Sequence, residues 1–115
     1  MLIQIVDDSA NMREAIKSVL GELNAEYVES GDGDEAVRQF ALHTPDLVLM
    51  DIQMHRMDGI AATAAIRSID AAARVIVLTQ YDDDDLRAAA SFAGAEAYVV
   101  KDDLSVLQDM ILHPP

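Results

Sequence analysis

Cysteine is absent from this chain, and so is tryptophan. The first absence excludes a disulfide framework and any cysteine-based metal site. The second, with only three tyrosines and two phenylalanines, means that the core must be aliphatic. Basic residues are scarce too: eight lysines and arginines stand against 21 acids, a net charge of −13. Nucleic-acid binding needs basic surface to displace counterions from phosphates, so the chain is not expected to bind DNA or RNA by itself. Polar residues interrupt every apolar run before membrane-spanning length, and no signal peptide precedes the first run. The expectation is a cytoplasmic protein without membrane contact.

What is present is enough for one domain: 115 residues, 51% of them hydrophobic. Short apolar runs recur five times, as LIQIV (2–6), AEYVE (25–29), DLVLM (46–50), ARVIVLT (73–79) and AYVV (97–100). The third and fourth show little polar alternation, as parallel strands covered on both faces do. Between the runs the period becomes helical. Met12, Ala15, Ile16, Val19, Leu20 and Leu23 share one face, with Ser9 as a candidate N-cap. Ala36, Val37, Phe40 and Ala41 mark a second helix, opened by Gly31-Asp32-Gly33 and closed before Pro45. Ile60, Ala64 and Ile66 mark a third from near Gly59, and Leu86, Ala89, Ala90 and Ala93 a fourth ending at Gly94. Leu104, Leu107 and Ile111 make a short fifth. The pattern is (βα)₅, an α/β fold with a parallel sheet and helices on both faces. The domain is expected over 1–112, with 113–115, ending Pro-Pro, as the start of a linker or tail.

In such sheets ligands bind outside the carboxyl ends of the strands. Strand 1 ends in Asp7 and Asp8, strand 3 in Asp51 and strand 4 in Thr79, and Lys101 follows strand 5. Glu29-Ser30, at the end of strand 2, is set aside because an outer strand lies away from the crevice. Three carboxylates repel unless a cation sits among them. Oxygen-only ligands suit Mg²⁺, with Mn²⁺ as an acceptable substitute. Asp51, alone on its strand, is placed to attack phosphorus and form an aspartyl-phosphate. The cation, the Lys101 ammonium and the Thr79 hydroxyl could each take one phosphoryl oxygen.

At this point the chain resembles the receiver domain of two-component response regulators. The resemblance spans essentially the whole chain and rests on VDDS (6–9), LVLMDIQMHRMDG (47–59), VIVLTQYDDDD (75–85) and AGAEAYVVKDD (93–103). It implies a flavodoxin-like doubly wound fold with strand order 2-1-3-4-5. It also implies that Asp51 accepts phosphate from a sensor histidine kinase or a histidine phosphotransfer protein. Asp7 and Asp8 would hold Mg²⁺ with the Asp51 carboxylate and the backbone carbonyl of Gln53. Lys101 would pair with Asp51 and then with the phosphoryl group, while Thr79 and Tyr98 act as the switch. Gln53 and Tyr81 stand where members of the family tune hydrolysis of the acyl phosphate. Within this resemblance the segment 78–103 is similar to the branch with a helix-turn-helix output domain. Transcriptional output is therefore expected, with a stand-alone receiver as the alternative. Either allows a homodimer formed on phosphorylation, and neither implies turnover of a separate substrate.

Three residues depart from the family's commonest pattern. His55 replaces a proline after the phosphoacceptor, Gln80 a small residue after Thr79, and Asp102 a proline after Lys101. Gln80 can restrict access to the site. Each site residue also has a plain reading: Asp7-Asp8 as a turn and cap, Thr79 as a β-branched strand residue, Lys101 as surface, Tyr98 as a half-buried aromatic. Asp82 to Asp85 read as the acidic first turn of a helix, His43, His55 and His113 as surface, and Met12 and Met50 as core fillers. Two other functions compete. A phosphohydrolase of the haloacid-dehalogenase type would carry its nucleophile in an Asp-x-Asp pair on the first strand, and none is present there. A receiver-like docking module would never be phosphorylated, and Gln80 is the only feature that favours it.

Overall fold

LVLMD and VIVLT are buried at every position, so both strands need cover on both faces. β3 (Leu47–Asp51) and β4 (Val75–Thr79) accordingly lie inside a five-stranded sheet of order β2-β1-β3-β4-β5. β1 is Leu2–Val6, β2 Glu26–Ser30 and β5 Ala97–Val100, and every pairing is parallel. This is the doubly wound, flavodoxin-like order. The computed structural model describes residues 1–54 and 58–114. His55, expected to loosen the loop after Asp51, lies outside the described residues.

Alternation along the strands assigns the helices to their faces. Ile3, Ile5, Leu47, Leu49, Ile76 and Leu78 meet Ile16 and Leu20 of α1 (Ala10–Val19 with its cap) and Leu107 and Ile111 of α5 (Leu107–Leu112). Val6, Val48, Met50 and Val75 point the other way, onto Ala36 and Phe40 of α2 (Gly33–His43) and Ala62 and Ile66 of α3 (Gly59–Ile69). Val77 and Ile52 pack with Ala90 of α4 (Asp84–Ala93). Burying one such Ile, Leu or Phe stabilises the fold by about 2 kcal/mol. Among the described residues no helix is long and apolar enough to cross a membrane.

Much of the acid excess is spent on starting helices. Asp32, Asp58 and Asp83 accept the N–H three residues on, from Glu35, Ala61 and Leu86, as Ser9 does from Met12. Asp84 and Asp85 then sit in the first turn of α4, where the dipole favours them, and Asp82 pairs with Arg87 at 2.8 Å. Gly94 ends α4 at φ 107°, a conformation that favours glycine, and Thr44 closes α2 just before Pro45. His43 and His113 are exposed and Met50 is fully buried.

Some helix faces differ from the sequence reading. Ala15, Ala41 and Ala64, placed on apolar faces by spacing, are exposed. A single methyl carries so little transfer energy that larger neighbours such as Ile16, Phe40 and Ile66 fix the rotation of each helix. The fifth helix opens with a 3-10 turn over Leu104–Val106 before continuing as α5.

Candidate functional site

The parallel register brings the carboxyl ends of β1, β3 and β4 to one edge: Val6 lies beside Met50, Asp51 beside Leu78, and Thr79 beside Val100. Asp7, Asp8, Asp51 and Lys101 therefore converge on a cleft of about 340 Å³, as the strand-end positions predict. One carboxylate oxygen from each of Asp7, Asp8 and Asp51 lies within 4.8 Å of the others. Asp7 and Asp51 are buried and Asp8 is exposed. Lys101 spans the buried pair, its Nζ 2.8 Å from Asp7 Oδ2 and 3.2 Å from Asp51 Oδ1.

Three carboxylates against one ammonium leave the cluster net negative. Burial pushes the Asp51 carboxyl above its usual range, Lys101 opposes this, and Asp7 adds to it. For Lys101 burial alone acts downward, but the bond to Asp7 and the attraction of Asp51 hold the ammonium above its ordinary value. An all-oxygen set of this kind, with one ligand open to solvent, fits a hard divalent cation that keeps part of its water.

Of the other predicted residues, Gln53 and Gln80 line the cleft, whereas Thr79, Tyr81 and Tyr98 are not among its lining residues. The backbone N–H of Gln53 donates to Asp51 Oδ1 at 3.3 Å, and the Gln53 side chain lines the cleft. Thr79 is fully buried, and its hydroxyl accepts from the Tyr81 N–H at 3.2 Å. Gln80 lines the cleft while its amide donates to the Tyr81 hydroxyl at 3.1 Å. The Tyr98 hydroxyl donates to the Tyr81 carbonyl at 2.6 Å, and the Arg87 guanidinium stacks 4.5 Å from the Tyr98 ring centre. Asp102 is exposed beside Lys101 and lies outside the cluster.

Three residues escaped the sequence reading. Met12, taken as a core filler, is half-buried and lines the cleft. Arg13 and Glu29 form an ion pair at 2.9 Å behind the cluster, although Glu29 had been set aside with its outer strand. Their only signal in the sequence is an arginine one turn into the helix that follows the two aspartates. A larger groove of about 550 Å³ between α3 and α4, with exposed Phe92 among its lining residues, has no such convergence of carboxylates.

This geometry agrees with the comparisons to known proteins. A family profile described as the response regulator receiver domain matches residues 3–112, and the chain belongs to that family. It is 44% identical to the chemotaxis protein CheY of Bacillus subtilis over 86% of this chain and 83% of that protein. It is 45% identical to the transcriptional regulatory protein PdtaR of Mycobacterium tuberculosis, again over 86% of this chain. There the match spans about half of the relative, 48% of its length. Among solved structures, the CheX-CheY-BeF3-Mg²⁺ complex of Borrelia burgdorferi superposes with a TM-score of 0.91 at 28% identity, covering 97% of this chain and 87% of that one.

Proposed function

We propose that Asp51 is the phosphoacceptor of this receiver domain. The observation that carries this is the buried Asp51 carboxylate held 3.2 Å from Lys101 Nζ and grouped with Asp7 and Asp8. In the transfer an Asp51 oxygen forms a bond to phosphorus as the phosphorus–nitrogen bond of a phosphohistidine breaks. The departing imidazole keeps that electron pair and is protonated by solvent. Lys101 neutralises one phosphoryl oxygen and the Thr79 hydroxyl donates to another, which is where preorganised charge lowers the barrier. Asp7, Asp8, Asp51 and the Gln53 carbonyl would hold Mg²⁺ or Mn²⁺, which would supply further charge neutralisation at the phosphoryl oxygens.

Thr79 and Tyr98 are the switch in this reading, a role supported by their hydrogen bonds to the Tyr81 backbone. Gln53, Gln80 and Tyr81 tune access and hydrolysis. The domain comprises 1–112, followed from 113 by the start of a linker or tail, and works in the cytoplasm with a sensor histidine kinase or histidine phosphotransfer protein. Output is transcriptional, supported by the PdtaR likeness over half of that protein's length. The CheY likeness, which spans most of that relative, supports a stand-alone receiver as the second reading. A homodimer formed on phosphorylation is compatible with both.

Intact mass after incubation with acetyl phosphate, with and without Mg²⁺ and beside Asp51→Asn, tests the core of this reading. One added phosphoryl group is expected, lost without Mg²⁺ and absent from the variant. A folded protein that gains no mass overturns it.

A further inference from the structure

Every polar atom of Asp7 has a partner within the protein. Its N–H donates to the Ser30 carbonyl at 3.0 Å, continuing the β1–β2 ladder. Its Oδ1 accepts from the Ser9 N–H at 2.9 Å, and its Oδ2 from Lys101 at 2.8 Å. Its carbonyl accepts from Arg13 Nη1 at 2.6 Å, a side-chain contact from the second turn of α1.

Arg13 does not reach that carbonyl as a loose side chain. Its Nε donates to Glu29 Oε1 at 2.9 Å, so two faces of the guanidinium are fixed at once. Glu29 is itself held by Lys17 at 3.1 Å, and Lys17 by Glu14 at 2.6 Å. The hydrogen bonds from Lys17 and Arg13 hold the Glu29 carboxyl below its usual range and keep it ionised. A planar fork tied to a carboxylate on an outer strand thus fixes the backbone of the residue that follows the neighbouring strand.

We propose that Arg13, anchored by Glu29, is a positioning residue for the divalent-cation site and acts through the Asp7 backbone. The inference rests on the reading of Asp7, Asp8 and Asp51 as cation ligands. Two physical effects of Arg13 have opposite signs, which makes the idea sharp. As a nearby positive charge it disfavours a bound cation, so its loss by charge alone tightens binding. As an orienting group it sets the direction of the Asp7 carboxylate, so its loss weakens binding. Partners behind a ligand commonly change metal affinity by roughly tenfold or more.

The test is Mg²⁺ titration of the unphosphorylated protein, followed by amide chemical shifts, for wild type, Arg13→Gln, Arg13→Lys and Lys17→Gln. Arg13→Gln is expected to weaken Mg²⁺ binding by roughly tenfold. Arg13→Lys keeps the charge but loses the fork, and is expected to weaken binding too. Lys17→Gln contacts Glu29 but not Asp7, and is expected to bind no more weakly than wild type. In metal-free protein the Ser9 amide, which reports the Asp7 Oδ1 bond, is expected to exchange faster in Arg13→Gln. Unchanged or tighter Mg²⁺ binding in both Arg13 variants overturns the proposal while leaving the cation site intact. If Arg13→Gln does not fold, Arg13→Lys decides alone. A wild type that takes up no Mg²⁺ overturns the cation site itself, and the inference with it.

Discussion

The Lys101 ammonium lies closer to Asp7, at 2.8 Å, than to Asp51, at 3.2 Å. It therefore serves both buried carboxylates, with the shorter bond on Asp7. A charge shared in this way restrains Asp51 without being held by it alone.

Removing that ammonium exposes the repulsion it offsets. Lys101→Met is expected to lower stability by about 2–4 kcal/mol in metal-free buffer, because it leaves two buried carboxylates without their cation. On the proposed reading of the site as a Mg²⁺ site present only in the folded state, added Mg²⁺ is expected to recover much of the loss. Urea unfolding with and without Mg²⁺ measures both effects. A stability unchanged by the substitution refutes the account of the pair.

Asp51 makes the opposite prediction. Its folded-state pKa is raised, so the ionised form is disfavoured in the native protein, and the stability present below the ordinary carboxyl range is lost as pH rises through the folded value. At neutral pH the charge is therefore a burden. Asp51→Asn is expected to raise the melting temperature in metal-free buffer at pH 7 by a few degrees, roughly the effect of 1 kcal/mol. The gain is expected to shrink as pH falls toward 4. A lower melting temperature for the variant at pH 7 means that the Lys101 pairing outweighs burial.

Gly59 lies against the backbone at the end of β3, at Asp51 and Ile52. A Cβ there would stand 1.9 Å from the Asp51 carbonyl oxygen and 2.8 Å from Ile52 Cα, and neither backbone atom can move cheaply. Gly59→Ala is expected to cost about 3 kcal/mol or to displace Asp51, with slower labelling by acetyl phosphate. Gly31→Ala is the control, since nothing lies within 4 Å of a Cβ at that position. Equal stability of the two variants in urea would show that the β3–α3 connection yields easily.

Much of this was legible in the sequence. The strands at 2–6 and 97–100 fall where their apolar runs lie, and the other three differ only at their ends. Strand ends also brought Asp7, Asp8, Asp51 and Lys101 to one cleft, because a parallel sheet places all its carboxyl ends on one edge, whereas Thr79 is not among the cleft's lining residues. What escaped was set by side-chain reach. Glu29 sits on the outer strand, but the length of Arg13 carries its influence to the Asp7 carbonyl. Hydropathy counts Met12 as apolar and cannot show that it borders the cleft. Alanine spacing misjudged helix rotation for the same reason: a pattern records which residues can be buried, and packing decides which are.

Gln80 offers the last test. Its side chain borders the cleft and is tied to the Tyr81 hydroxyl at 3.1 Å, at a position where a small residue would leave the approach to Asp51 open. If the amide acts as a partial cover, Gln80→Ala is expected to raise the rate of labelling by acetyl phosphate by about threefold, since a less obstructed approach makes productive orientation more frequent. Loss of the acyl phosphate by hydrolysis is expected to quicken as well, because water uses the same opening. Tyr81→Phe removes the tether but keeps the Gln80 side chain, and is expected to fall between wild type and Gln80→Ala. The opposite result, slower labelling in Gln80→Ala, would mean that the amide assists the phosphoryl group as a hydrogen-bond donor instead of covering it. The time course of intact mass after a pulse of acetyl phosphate separates the two, because a donor speeds formation while a cover slows both formation and loss.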